Sequence, residues 1–163
     1  MSTKRFTAEE EKAWRTFLHA STRLMSRLDD EMRAVHGERL ADFDVLSNLS
    51  EAPSGELRMS DLADQTLFSR SRLSYTVGQL EARRLVERQK DKYDRRGVTA
   101  ALTPSGWAHH RKLARTHLQG IRHHFLDPTS PNSRSDLTEA LAPILKQLDA
   151  ENSHPNSSLS ESS

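Results

Sequence analysis

The stretch from residue 58 to residue 102 limits what this chain can fold into more than any other. Ser60 stands where a helix N-cap is expected, with Leu62, Ala63 and Leu67 spaced for the buried side of a short helix. A second cap residue, Ser69, follows almost at once and opens a helix whose apolar positions are Leu73, Val77 and Leu80. Two short capped helices with a tight connection make a helix-turn-helix pattern. Val86 to Lys90 and Val98 to Leu102 then read as two short strands around Asp91-Lys92-Tyr93-Asp94-Arg95-Arg96-Gly97, a hairpin with a long charged tip, or wing.

Helices flank this unit on both sides. From Thr7 to Val35, Trp14, Phe17, Leu18, Met25, Leu28, Met32 and Val35 recur at helical steps, and His36-Gly37 ends the run. Phe43, Val45, Leu46 and Leu49 mark a shorter helix that stops before Pro53, and Ser54-Gly55 is a turn. Thr103-Pro104 has the form of a helix start and leads into Trp107, Ala114, Leu118, Ile121 and Phe125 on one face. Pro128 to Ser135 reads as a linker. A last helix follows, striped by Leu137, Leu141, Ile144, Leu145 and Leu148. The expected fold is mainly α with a small β-wing. A winged helix-turn-helix over residues 42–102 is flanked by a helix over 7–36 and helices over 103–150, with a disordered tail over 151–163.

Charge is distributed to suit that layout. The 163 residues carry a net charge of +1, but residues 1–57 hold a net −3 and residues 58–96 a net +4. The chain has no cysteine, which excludes a disulfide scaffold and a thiol sensor. No run of 18 apolar residues and no signal-peptide pattern occurs, so a cytoplasmic protein with no membrane contact is expected. There is no G-x-S-x-G and no phosphate loop, and Glu9 to Glu11 and Asp29 to Glu31 are charge runs on a helix exterior; no enzyme is expected. Eight histidines include His109, His110, His117, His123 and His124, but none is paired at i, i+4 and no acidic residue lies between Gly97 and Leu126. They read as solvated or dimer-face histidines, with no metal and no cofactor.

With Leu73, Val77 and Leu80 turned inward, Ser69, Arg70, Ser71, Arg72, Tyr75, Thr76 and Gln79 are left for other faces. Arg pairs bidentately with guanine, Gln with adenine, and the N–H groups at a helix start hold phosphate. On the wing, Asp94, Arg95 and Arg96 suit a narrow minor groove, where an acidic neighbour holds the arginine in one geometry. The same residues also suit a solvated helix face and a charged turn.

The runs Met59-Ser60-Asp61-Leu62-Ala63, Ser69 to Leu73, Leu80 to Val86, Asp94-Arg95-Arg96 and Leu102-Thr103-Pro104-Ser105-Gly106 resemble, in order and spacing, the MarR-type transcription regulators. The resemblance spans residues 12–150. It implies that the helix from Ser69 enters the major groove of double-stranded DNA, with Asp94 orienting Arg96 into the flanking minor groove. It also implies a homodimer formed by the first, fifth and sixth helices. The stripe Leu137, Leu141, Ile144, Leu145 and Leu148 is the candidate interface, because a helix this short needs a partner for it. A dimer fits a palindromic operator. The family pattern adds a small aromatic effector, for which Trp14, Leu18, Phe43 and Tyr75 are candidate lining residues, with plain hydrophobic core as their other reading. Where the family usually has Gly, this chain has Arg84, at a cost of about 1 kcal/mol if left-handed. The expected function is a sequence-specific regulator, a repressor. The alternatives are a sequence-tolerant architectural DNA binder and a winged-helix protein-interaction module.

Overall fold

A computed structural model describes residues 5–66, 68–90 and 97–152. Helix α1 runs Ala8–His36. Thr7 caps it: its hydroxyl accepts from the Glu10 N–H at 3.2 Å, while the Glu10 carboxylate accepts from the Thr7 N–H at 2.7 Å. Gly37, left-handed with φ 69°, stops the helix. Of the apolar stripe along α1, only Leu28 and Met32 are buried; Trp14, Phe17, Leu18, Met25 and Val35 stay exposed.

Helix α2 (Leu40–Glu51) buries Phe43, Val45, Leu46 and Leu49, as their spacing predicts. Its first N–H, on Leu40, donates to Asp29 of α1 at 2.7 Å. Strand β1 (Glu56–Arg58) follows, then α3 (Met59–Thr66), α4 (Arg70–Ala82), β2 (Val86–Lys90) and β3 (Val98–Leu102). The sheet order is β1-β3-β2, all antiparallel, with Leu57 opposite Ala100 and Arg88 opposite Ala100 on the other edge. The hairpin predicted from sequence is therefore two-thirds of a three-stranded sheet. Ser60 is not a cap: β1 runs directly into α3, which starts one residue earlier, and the Ser60 hydroxyl donates to Asp61 at 2.9 Å.

Helix α5 (Pro104–Ile121) is capped by Thr103 with Pro104 at its first position, as predicted. Its fully buried line is Gly106, Leu113 and Gly120, not the Trp107–Leu118 stripe, and Leu118 is exposed. Close approach explains the first of these positions. A Cβ on Gly106 would lie 2.0 Å from the Leu85 carbonyl oxygen. Arg84 just before it is left-handed, φ 60°, as expected from an Arg where Gly is usual. Its carbonyl accepts from the Thr103 and Ser105 hydroxyls, both at 2.7 Å, so the Thr-Pro-Ser-Gly segment wraps the end of α4.

Residues up to Arg122 make one compact unit, and those from His123 make a second. Met32, Leu46, Leu49, Leu62, Leu73, Leu80, Val86 and Leu113 are among the buried residues that knit the first unit together. A π-helical turn spans Arg122–Leu126, and the second unit carries α6 (Pro131–Asn152). The expected linker thus ends early. Ser130 acts as a cap whose hydroxyl accepts from the Ser133 N–H at 3.1 Å, and Pro131 starts the helix. Pro143 sits inside α6, where it supplies no N–H to the helical ladder.

Candidate nucleic-acid interface

Ser69 caps α4, its hydroxyl accepting from the Arg72 N–H at 3.3 Å. Leu73, Val77 and Leu80 fix the helix on the core, which leaves Arg70, Ser71, Arg72, Ser74, Tyr75 and Gln79 exposed. Thr76 departs from the expectation: it is 2% exposed, shut in beside Val77, and cannot reach a base edge. Tyr75 is 60% exposed. The wing strands β2 and β3 are present, but Asp94, Arg95 and Arg96 at the tip lie outside the described residues.

Arg88 on β2, not singled out by sequence, ties the hairpin to α4. Its Nη2 donates to the Ser74 carbonyl at 2.6 Å, and its N–H donates to the Glu81 carboxylate at 3.2 Å. In the sequence it is one polar residue among four in Glu87-Arg88-Gln89-Lys90, which does not reveal a partner on another element.

Behind the exposed face of α4 lies a cavity of about 550 Å³, walled by Met25, Asp29 and Arg33 of α1, residues 39–44 in part, Phe68, Arg72, Tyr75 and Thr76, and His117 of α5. Phe43 and Tyr75 are among its walls. Trp14 and Leu18 are not, because they stand about three and two turns, respectively, nearer the start of α1 than Met25, the first wall residue. The cavity carries charge as well as aromatic surface. Burial pushes the Asp29 carboxyl up, but the Leu40 N–H and Arg33 outweigh it and hold the group below its usual range. Arg39 pairs with Asp42 at 2.9 Å. Burial pushes the Asp44 carboxyl up, with Arg72 and Asn48 opposing. The Arg72 guanidinium rests over Phe68.

Two α5 histidines bracket Phe43: His110 stacks at 5.6 Å and 9°, and His117 tilts at 4.6 Å and 46°. Burial lowers the pKa of both. The His117 Nδ1 is buried with no hydrogen-bond partner among the described residues, whereas His110 meets Ser47 at 3.1 Å. Among the described residues no group of three or more His, Asp or Glu could hold a metal ion, and no helix is long and apolar enough to cross a membrane.

The MarR family model matches residues 38–97, which hold α2 through β2 and stop just before β3. Two solved structures from Streptomyces coelicolor are similar over nearly the whole chain. AbsC, a MarR family transcriptional regulator, is 38% identical over 91% of this chain and 99% of its own, with a TM-score of 0.86. Sco3205, a MarR family transcriptional regulator solved in complex with DNA, is 32% identical over 95% of this chain and 94% of its own, TM-score 0.82. BpsR of Bordetella bronchiseptica, whose DNA binding is regulated by 6-hydroxynicotinic acid, shares the fold at 20% identity, over 86% of this chain and 97% of its own, TM-score 0.73. No curated protein matches the sequence. With two relatives above 30% identity along almost their full length and a capped helix-turn-helix joined to a β-hairpin, this chain belongs to the MarR family of transcriptional regulators.

Proposed function

We propose that the chain binds a palindromic DNA operator as a homodimer, represses transcription from it, and is released by a small aromatic effector. The observation that carries the DNA reading is the exposed polar face of α4. A helix held to the core by Leu73, Val77 and Leu80 turns Arg70, Ser71, Arg72, Tyr75 and Gln79 outward from a serine-capped first turn. Those side chains have the donor geometry for base edges and phosphates. The DNA complex of the 32% identical relative supports the same reading. The wing residues Asp94, Arg95 and Arg96 complete the contact in the minor groove.

Support for the dimer comes from apolar side chains that the single chain leaves uncovered on α1 and α6. Support for the effector comes from the cavity behind α4, where aromatic walls meet guanidinium groups and Arg72 belongs to both cavity and recognition face. A planar aromatic ligand with an acidic group fits that mixture. Such a regulator works where the chromosome is, in the cytoplasm.

Selecting bound duplexes from a random DNA pool tests the proposal. An inverted repeat should emerge, and its affinity should exceed that for unrelated DNA by about a thousandfold or more at one stated salt concentration. A ratio near one would make the protein an architectural binder instead.

A further inference from the structure

The short connection between α1 and α2 carries Glu38, which is 5% exposed. Arg83, the residue that ends α4, grips its carboxylate with both terminal nitrogens: Nη1 donates to Oε2 at 2.7 Å and Nη2 donates to Oε1. The Nε2 of His109, on α5, lies 2.9 Å from the same Oε1. Burial pushes this carboxyl up, yet Arg83 and His109 outweigh it and hold it below the ordinary carboxylate range. One buried anion therefore joins three elements: the α1–α2 joint, the C-terminus of α4, and α5.

We infer that Glu38 is a positioning residue for DNA recognition, setting the direction of α4 on the α1–α5 frame. The inference rests on α4 being the recognition helix of a dimer. Only the carboxylate of this pair is buried, and a buried charge left without its partners is costly, which holds Arg83 and His109 against Glu38. The lever is long: Arg83 lies 13 residues beyond Arg70, about 20 Å along the helix. A tilt of about 5° at the Arg83 end moves the first turn by about 1.7 Å, enough to break a base-edge hydrogen bond. In a dimer both recognition helices must seat at once, so the error is felt on a two-half-site duplex. On one half-site a single helix seats independently.

The probes are the duplex best selected by the wild-type protein and the same duplex with one half-site scrambled. Glu38→Gln should bind the intact duplex about tenfold more weakly, yet stay within about twofold of wild type on the scrambled one. His109→Leu should show the same split to a lesser degree, and His109→Gln, which still donates to the carboxylate, should restore the intact-site affinity. Circular dichroism and sedimentation establish that each variant is folded and dimeric. Should Glu38→Gln not fold, Arg83→Lys, which keeps the cation and loses the fork, is read the same way. Equal losses on both duplexes, or none on either, overturn the inference. A wild-type protein that selects no sequence overturns the DNA reading itself, a result distinct from unchanged variants of a protein that does bind.

Discussion

The guanidinium carbon of Arg72 lies 4.0 Å from the centre of the Phe68 ring. Phe68 packs on the core and both side chains wall the cavity, so this exposed arginine of α4 is parked against the cavity rim. Leaving the ring costs about 0.5–1 kcal/mol, less than a bidentate guanine pair returns. Arg72→Ala should therefore weaken binding to the selected operator by roughly 1–3 kcal/mol and relax preference at one position per half-site. Arg96→Ala, in the wing, should behave differently. Its loss should track flanking A·T content and flatten the slope of log affinity against log salt by about one unit per subunit. Titration of both variants at two salt concentrations separates the roles, and an Arg72→Ala protein with unchanged base preference would remove that residue from base reading.

At the other end of α4, backbone geometry makes a stability test. Gly106→Ala drives a methyl into the Leu85 carbonyl, which is backbone and cannot rotate away. A loss of about 3 kcal/mol or more is expected in urea unfolding. Arg84→Gly should do the opposite, stabilising by about 1 kcal/mol, because the left-handed conformation no longer strains a Cβ. A destabilised Arg84→Gly would mean that the Arg84 side chain contributes more than its backbone costs.

Local features were the legible ones. Ser69 and Thr103 cap helices as read, since a cap and its first turn are neighbours in sequence. Leu73, Val77 and Leu80 likewise name their own buried face. Thr76 was misread because a hydroxyl beside Val77 looks polar in sequence, while its position on the helix puts it inside. β1 is three residues long, too short for a period, and exists through its pairing with β3. The Glu38–Arg83 contact joins residues 45 apart and leaves no mark on either segment. Leu113, flanked by Lys112 and a run of basic residues, hid the true inner line of α5 until the glycines on either side showed where neighbours come close.

Acid should destabilise the fold in two stages. Burial lowers the pKa of His110 and His117, so the native state favours their neutral forms. As pH falls past about 6.5, the unfolded chain takes up protons first. The stability these residues support is present above that value and is lost below it, down through their lowered native values. Asp29 and Glu38 are lowered as well, which for a carboxylate favours the charged form, so their contribution persists until pH drops through about 4 and is lost below it. Urea midpoints at about pH 7.5 and about pH 5.5 isolate the first stage. A His110→Gln, His117→Gln double variant should show a smaller difference between them than wild type does. An identical difference would assign the first stage to other groups.

The most consequential expectation concerns α6. Its described side chains are almost all uncovered within the single chain: Ile144 and Leu148 are exposed, Leu145 is 61% exposed, and Leu137 and Leu141 are little better covered. Pro143 in its middle supplies no N–H, so the carbonyl one turn earlier loses its helical partner. A helix that buries this little and is interrupted in this way is marginal by itself in water. On α1, Trp14, Phe17 and Leu18 show the same pattern on a separate compact unit. Both stripes are explained together if a second copy of the chain covers them. Leu145→Asp then places an unpaired carboxylate in an apolar contact at a cost of several kcal/mol, on the order of a hundredfold or more in dimer dissociation. Leu145→Ala removes apolar area only and should cost about 2 kcal/mol. Sedimentation at micromolar concentration should find wild type dimeric, Leu145→Ala weakened and Leu145→Asp monomeric, with the helical content of the first unit retained. A wild-type monomer, or a Leu145→Asp protein as dimeric as wild type, rules out this stripe as the dimer contact.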